Sequence, residues 1–172
     1  HCYTIRVPVS LPSTALNLPL SYERVHMPEN TIPQLNALIA DLTVFYQKLR
    51  HYHWNVSGER FFELHAKFEE IYTGVGDTID ELAERIIGLD GVPVHTLAHV
   101  LDTASLSEDE SLPAAAEMVQ RTVADLETLN SRILEVIAAG EAADDRTTVN
   151  LLDDIRDGFE GHLWMLKAWL KE

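Results

Sequence analysis

Residues 51–84 read HYHWNVSGERFFELHAKFEEIYTGVGDTIDELAE, closing one long amphipathic segment and opening another. His53 stands near the end of the first, His65 and Glu69 early in the second, and Asp80 and Glu84 late in it. His65/Glu69 and Asp80/Glu84 are both i,i+4 pairs, so the members of each pair share a helical face. Imidazole with carboxylate is a donor set that suits iron, zinc or manganese. Taken alone, His53 also reads as a core histidine bonded to a carbonyl, and the two pairs as solvated helix faces. All five residues, however, lie on or beside apolar stripes, where unpaired charge is costly. Distance then constrains the geometry. At about 1.5 Å per residue, Asp80 lies roughly 22 Å along the helix from His65, whereas ligands of one ion lie within about 2 Å of it. One copy cannot bring both pairs to one metal. Two copies packed antiparallel about a two-fold axis can, each placing its early pair beside the other's late pair.

Outward from this stretch the pattern is helical. The first helix is expected to start at Thr31, where Thr31 and Gln34 have capping-box spacing and Pro33 occupies the first turn. Its apolar stripe is Leu35, Leu38, Leu42, Phe45/Tyr46 and Leu49, leading to His53, with Gly58 as the stop. His51 and Arg50 read as solvated. The second helix is expected over Phe61–Leu89, on Phe62, Phe68, Tyr72, Val75, Ile79, Leu82 and Ile86, ending at Asp90-Gly91-Val92-Pro93. A short helical turn at His95–Leu101 and an acidic loop, SLSEDES (105–111), connect to the third helix. That helix spans Pro113–Ala139 on Val119, Val123, Leu126, Leu129, Ile133 and Val136, with Gly140 as its breaker. The fourth spans Arg146–Leu170 on Leu152, Ile155, Phe159, Leu163, Leu166 and Leu170. The expectation is an all-α four-helix bundle over residues 31–172, with a short extra helix in the long connection between helices 2 and 3. Residues 1–30, punctuated by Pro8, Pro12, Pro19 and Pro28, read as an extended arm. Its His1, Cys2 and His26 are scattered, a pattern that seldom makes a metal site.

Composition narrows the function. The 172 residues fit one domain with a substantial core, and 46% are hydrophobic. Acidic residues number 28 against 13 basic, giving a formal charge of −15. Such a surface repels nucleic acid and anionic lipid and concentrates cations. The single cysteine, Cys2, excludes an intrachain disulfide and suggests a reducing compartment, the cytoplasm. No signal-peptide pattern is visible, and no apolar run approaches the about 20 residues of a membrane span. The chain opens on His1 rather than methionine, so residues preceding it are expected. An ordinary di-iron bundle uses Glu-x-x-His motifs on two helices, and none occurs here. Nucleophilic catalysis has no setting either, since Cys2 is in the arm and no serine has a His/Asp context.

HWNVSG, FFELHAKFEEIY and DTIDELAERIIGLDGVP, with HLWMLKAWL near the C-terminus, closely resemble the Dps family of ferritin-like mini-cages, over roughly residues 31–171. The resemblance implies a ferritin-like fold and a ferroxidase centre shared between subunits. His53, His65, Glu69, Asp80 and Glu84 would be its ligands or close partners, and Trp54 a nearby interceptor of oxidising equivalents. Glu69 stands where many members have Asp, which changes reach but not chemistry. The implied activity is oxidation of Fe(II), with hydrogen peroxide preferred over dioxygen, and storage of ferric mineral in a dodecamer. Carboxylates would neutralise and stabilise the ferric ion, while imidazoles leave coordination open to an oxidant. Two other readings stand beside it: a non-catalytic nucleoid-compacting DNA-binding protein, and a helical module storing zinc. The first needs a basic tail, whereas the arm offers only Arg6 and Arg24, so DNA binding is not expected. On the fourth helix Asp153, Asp157 and Glu160 form an acidic stripe, readable either as a solvated face or, repeated about a three-fold axis, as an iron entry pore.

Overall fold

The structure, a computed structural model, describes residues 31–171. Four long helices and one short helix account for most of them: α1 (Thr31–Asn55), α2 (Phe61–Gly88), α3 (Leu97–Thr103), α4 (Ala115–Ala142) and α5 (Arg146–Trp169). This is the expected four-helix bundle, with α3 in the connection between the second and third long helices. α1 and α2 form one hairpin and α4 and α5 another; the hairpins meet mainly through α1 and α4, while α3 lies on α1. No strand occurs among the described residues. The arm expected over residues 1–30, with His1, Cys2 and His26, lies outside them.

The heptad-like stripes become the core. Leu35, Leu38, Leu42, Phe45 and Leu49 of α1 are fully buried against Phe68, Leu82 and Ile86 of α2 and Leu126, Leu129 and Ile133 of α4. Full burial of one such side chain contributes about 1.5–3 kcal/mol. Polar groups then fix the long connection. Asp41, buried on α1, accepts from Ser105 N at 2.5 Å and Leu106 N at 2.9 Å. Asp109 accepts from Tyr52 Oη at 2.6 Å, Ser111 Oγ at 2.6 Å and Arg121 Nη1 at 2.6 Å. Burial opposes ionisation of Asp109, but these donors outweigh it and hold the carboxyl well below its usual range.

Four local expectations are corrected. Phe62 is 83% exposed, because it sits two residues before Leu64, roughly 200° around the helix from the buried face. The capping box at Thr31 is not made: among the described residues neither Thr31 Oγ1 nor Gln34 Oε1 has a hydrogen-bond partner, and Thr31 is already helical. The short helix begins at Leu97, after Thr96 accepts from His99 N as its cap. Gly140 does not end α4, which continues to Ala142. A Cβ at Gly140 would lie 3.0 Å from Val149 Cγ2, so this glycine admits α5 rather than stopping α4.

Candidate metal centre

The turn between α1 and α2 builds the site. Val56 N donates to Tyr52 O at 2.8 Å to close α1, and Gly58 reverses the chain at φ 110°, which favours glycine. α2 returns along α1 and sets His65 against His53. His53 Nδ1 lies 2.8 Å from the His65 carbonyl oxygen, and His65 Nδ1 lies 2.9 Å from the His53 carbonyl oxygen. A carbonyl only accepts, so both Nδ1 atoms carry the proton, and in the neutral imidazole the lone pair is on Nε2. A metal-binding imidazole is oriented in this way, by donating its other nitrogen's proton. The His53 carbonyl belongs to the last turn of α1, where intrahelical donors run out, so His65 also satisfies that helix end.

The two rings stack with centroids 3.8 Å apart, and Phe61 stacks on His65 at 5.0 Å. Tyr72 meets His53 edge-on at 5.4 Å. The ligand atoms of His53, His65 and Glu69 all lie within 4.8 Å of one another. His53 is 8% exposed, His65 half-buried and Glu69 exposed, so the cluster opens outward on its carboxylate side. Partial burial first, then the Glu69 carboxylate, pushes the Tyr72 hydroxyl above an ordinary phenol pKa.

Asp80 and Glu84 are not in this cluster. Both are exposed on α2, about four turns further on. Trp54 is 56% exposed, with the Arg50 guanidinium carbon 4.8 Å from its ring centre. Among the described residues it makes no ring contact with either histidine. His51 and Arg50 are half-buried rather than solvated: His51 Nε2 donates to Ser111 O at 2.7 Å, and Arg50 also lies over Tyr46 at 5.4 Å. Asp153, Asp157 and Glu160 are exposed along α5, and Arg156 pairs with Glu160.

Sequence reading left Tyr46 and Tyr72 as core stripe, yet helical arithmetic singles them out. Tyr46 stands seven residues before His53 and Tyr72 seven after His65, two turns away on the same faces. The Tyr52–Asp109–Arg121 network had no such signal, since its members approach through a loop 57 residues away along the chain.

The chain matches the family model for a ferritin-like domain over residues 32–172. It is 44% identical over 137 residues to the DNA protection during starvation protein of Brevibacillus brevis, covering 80% of this chain and 92% of that protein. Among solved structures, a Dps protein from Bacillus brevis superposes with a TM-score of 0.80 at 43% identity, covering 81% of this chain and 94% of that one. A Dps protein from Vibrio cholerae O1, a member of a broad superfamily of ferritin-like diiron-carboxylate proteins, gives 0.80 at 36% identity, covering 86% and 91%.

Proposed function

The chain belongs to the ferritin-like family, in its Dps branch, and on that premise we propose that it oxidises Fe(II) at a centre shared between two subunits. The observation that carries this reading is the histidine pair. Both Nδ1 protons are committed to backbone carbonyls, so both Nε2 lone pairs are available beside the Glu69 carboxylate. His53, His65 and Glu69 form one half of the centre, and Asp80 and Glu84 of a second subunit complete it. Fe(II) is the substrate and the ferric ion the product. The carboxylates favour the more highly charged ferric ion, while the neutral imidazoles leave room for the oxidant.

Hydrogen peroxide is the oxidant that suits this chemistry, ahead of dioxygen. Two Fe(II) ions supply two electrons to one peroxide, which takes up two protons and leaves as two waters. The ferric product accumulates as mineral within a cage of twelve subunits. An apolar groove of about 410 Å³ between α1 and α3, lined by Tyr46, Arg50, Leu97, Val100 and Leu101, offers a surface for a second subunit to cover. Asp153 and Asp157, with Glu160, serve as the cation route into the cage. No helix among the described residues is long and apolar enough to cross a membrane. The reducing cytoplasm, where Fe(II) persists, is the compartment that suits this activity.

Anaerobic Fe(II) titration of the assembled protein tests the proposal, followed by peroxide or dioxygen in separate stopped-flow runs. Saturable Fe(II) binding and faster ferric formation with peroxide are expected, with iron located crystallographically by anomalous scattering between His65 of one subunit and Asp80 of another. Iron found elsewhere, or no saturable binding, would overturn it.

A further inference from the structure

We propose that His162, Met165 and Glu70 form a second metal site, between α2 and α5, for the soft monovalent ion Cu(I), and that the Lys67 ammonium holds the cation position until the ion displaces it. His162 and Met165 stand three residues apart on α5, and Lys67 and Glu70 three apart on α2, so each pair shares a helical face. The two faces meet. Lys67 Nζ donates to Glu70 Oε1 at 2.8 Å and to the Met165 sulfur at 3.7 Å. A positive charge therefore already lies between a carboxylate and a thioether. His162 Nδ1 is 4.0 Å from the same Glu70 oxygen, too far for a hydrogen bond. It is shielded from solvent and, among the described residues, has no hydrogen-bond partner. Burial first, then the Lys67 charge, holds the His162 pKa below its usual value, so the ring is neutral near pH 7, the form that binds metal.

Donors bound about 2.0–2.3 Å from one ion lie at most about 4.6 Å apart, and the 4.0 Å between His162 Nδ1 and Glu70 Oε1 meets that limit. The donor set then selects the ion. A neutral thioether is a soft donor, and beside an imidazole it suits Cu(I) rather than Fe(II). His53, His65 and Glu69 carry no sulfur, so the two sites sort different metals. A monovalent ion also replaces the ammonium charge for charge beside Glu70. The flexible stem of Lys67 lets its head swing into water as the ion enters. A groove of about 300 Å³ between α2 and α5, with His162 in its lining, brings solvent to the imidazole.

The test titrates the assembled protein with Cu(I) against a chromophoric chelator, without oxygen. Cys2→Ser and Met27→Leu form the background, so that residues 1–30 supply no sulfur. One Cu(I) per chain is expected, and anomalous scattering from crystals of this background protein should place it between His162 and Met165. Met165→Leu and His162→Gln should each weaken binding on the order of tenfold or more, the loss seen when even a supporting group of a metal site is removed. Lys67→Gln removes the competing ammonium and should tighten binding severalfold. His65→Ala with Glu69→Gln should leave the Cu(I) affinity unchanged. Binding that survives Met165→Leu undiminished, or that disappears with His65→Ala and Glu69→Gln, would overturn the site. Lys67→Gln protein that binds no more tightly would overturn the displacement. Copper located elsewhere in the background protein defeats the inference even where a variant fails to assemble. Because copper binding is read directly, a failure of Fe(II) oxidation leaves this result unaffected.

Discussion

The proposed shared centre makes a quantitative prediction about mixtures of inactive proteins. One variant carries His65→Ala and Glu69→Gln, and the other Asp80→Asn and Glu84→Gln. His53 is kept because, at 8% exposed, it is the most buried member of the cluster. The four altered residues are exposed or half-buried, and three of the changes conserve shape. Each homogeneous assembly should lose most fast Fe(II) oxidation, since every centre lacks half its ligands. Unfolded together and refolded, the two variants pair at random. A whole centre then needs the histidine half from the second variant and the carboxylate half from the first. With variant fractions f and 1−f, the whole fraction is f(1−f): about one quarter of all centres at equal mixing and about three-sixteenths at three to one, for an interface obeying two-fold symmetry. The separation of about 22 Å along α2, against ligand atoms within 4.8 Å in the observed cluster, is why an intrachain centre is not an alternative route to recovery. The assay is peroxide-dependent ferric formation by stopped flow, with native mass spectrometry confirming mixed oligomers. Recovery absent at every ratio in confirmed mixtures would refute the shared centre.

Asp145, buried at the start of α5, accepts from Arg85 Nη2 at 2.7 Å and from Thr148 N at 3.1 Å. Asp145→Asn should cost about 2 kcal/mol, seen as a lower melting temperature. Burial opposes its charge, but Thr148 and Arg85 hold its pKa below the usual value. Its contribution is therefore present above about pH 4 and lost as pH falls through the folded pKa, so the variant should show a flatter acid limb. A Cβ at Gly91 would lie 2.8 Å from Ile86 Cγ2 and 3.1 Å from the Ile86 carbonyl oxygen, so Gly91→Ala should cost about 1–3 kcal/mol in denaturant melts. Asp153→Asn with Asp157→Asn should slow iron uptake into the assembled protein without dissociating it; Glu160, already paired with Arg156, should matter less. Uptake at the unaltered rate would leave the stripe as a solvated face. Duplex DNA should not be retarded near physiological salt, because a charge of −15 per chain repels phosphate, and gel shifts check this directly.

The sequence by itself determined the four long helices, because apolar residues recurring at three and four positions are a local signal that survives any packing arrangement. It also separated the two halves of the proposed centre, since rise per residue is a property of one helix: fifteen residues of α2 place Asp80 beyond reach of His65 in the same chain. It did not determine which of several faces each helix turns inward. Phe62 was as apolar as Leu64, and only the closing of the α1–α2 hairpin left the first exposed and the second buried. Gly140 read as a breaker because its reason for being glycine is Val149, on another helix. Asp41 and Asp109 carried no signal of burial, because their donors come from a loop whose path is set by the finished bundle. The histidines show the division most plainly. Their presence and helical register were legible, but the proton on each Nδ1 follows from a carbonyl on the opposite helix, and only tertiary packing brings that oxygen within 3 Å.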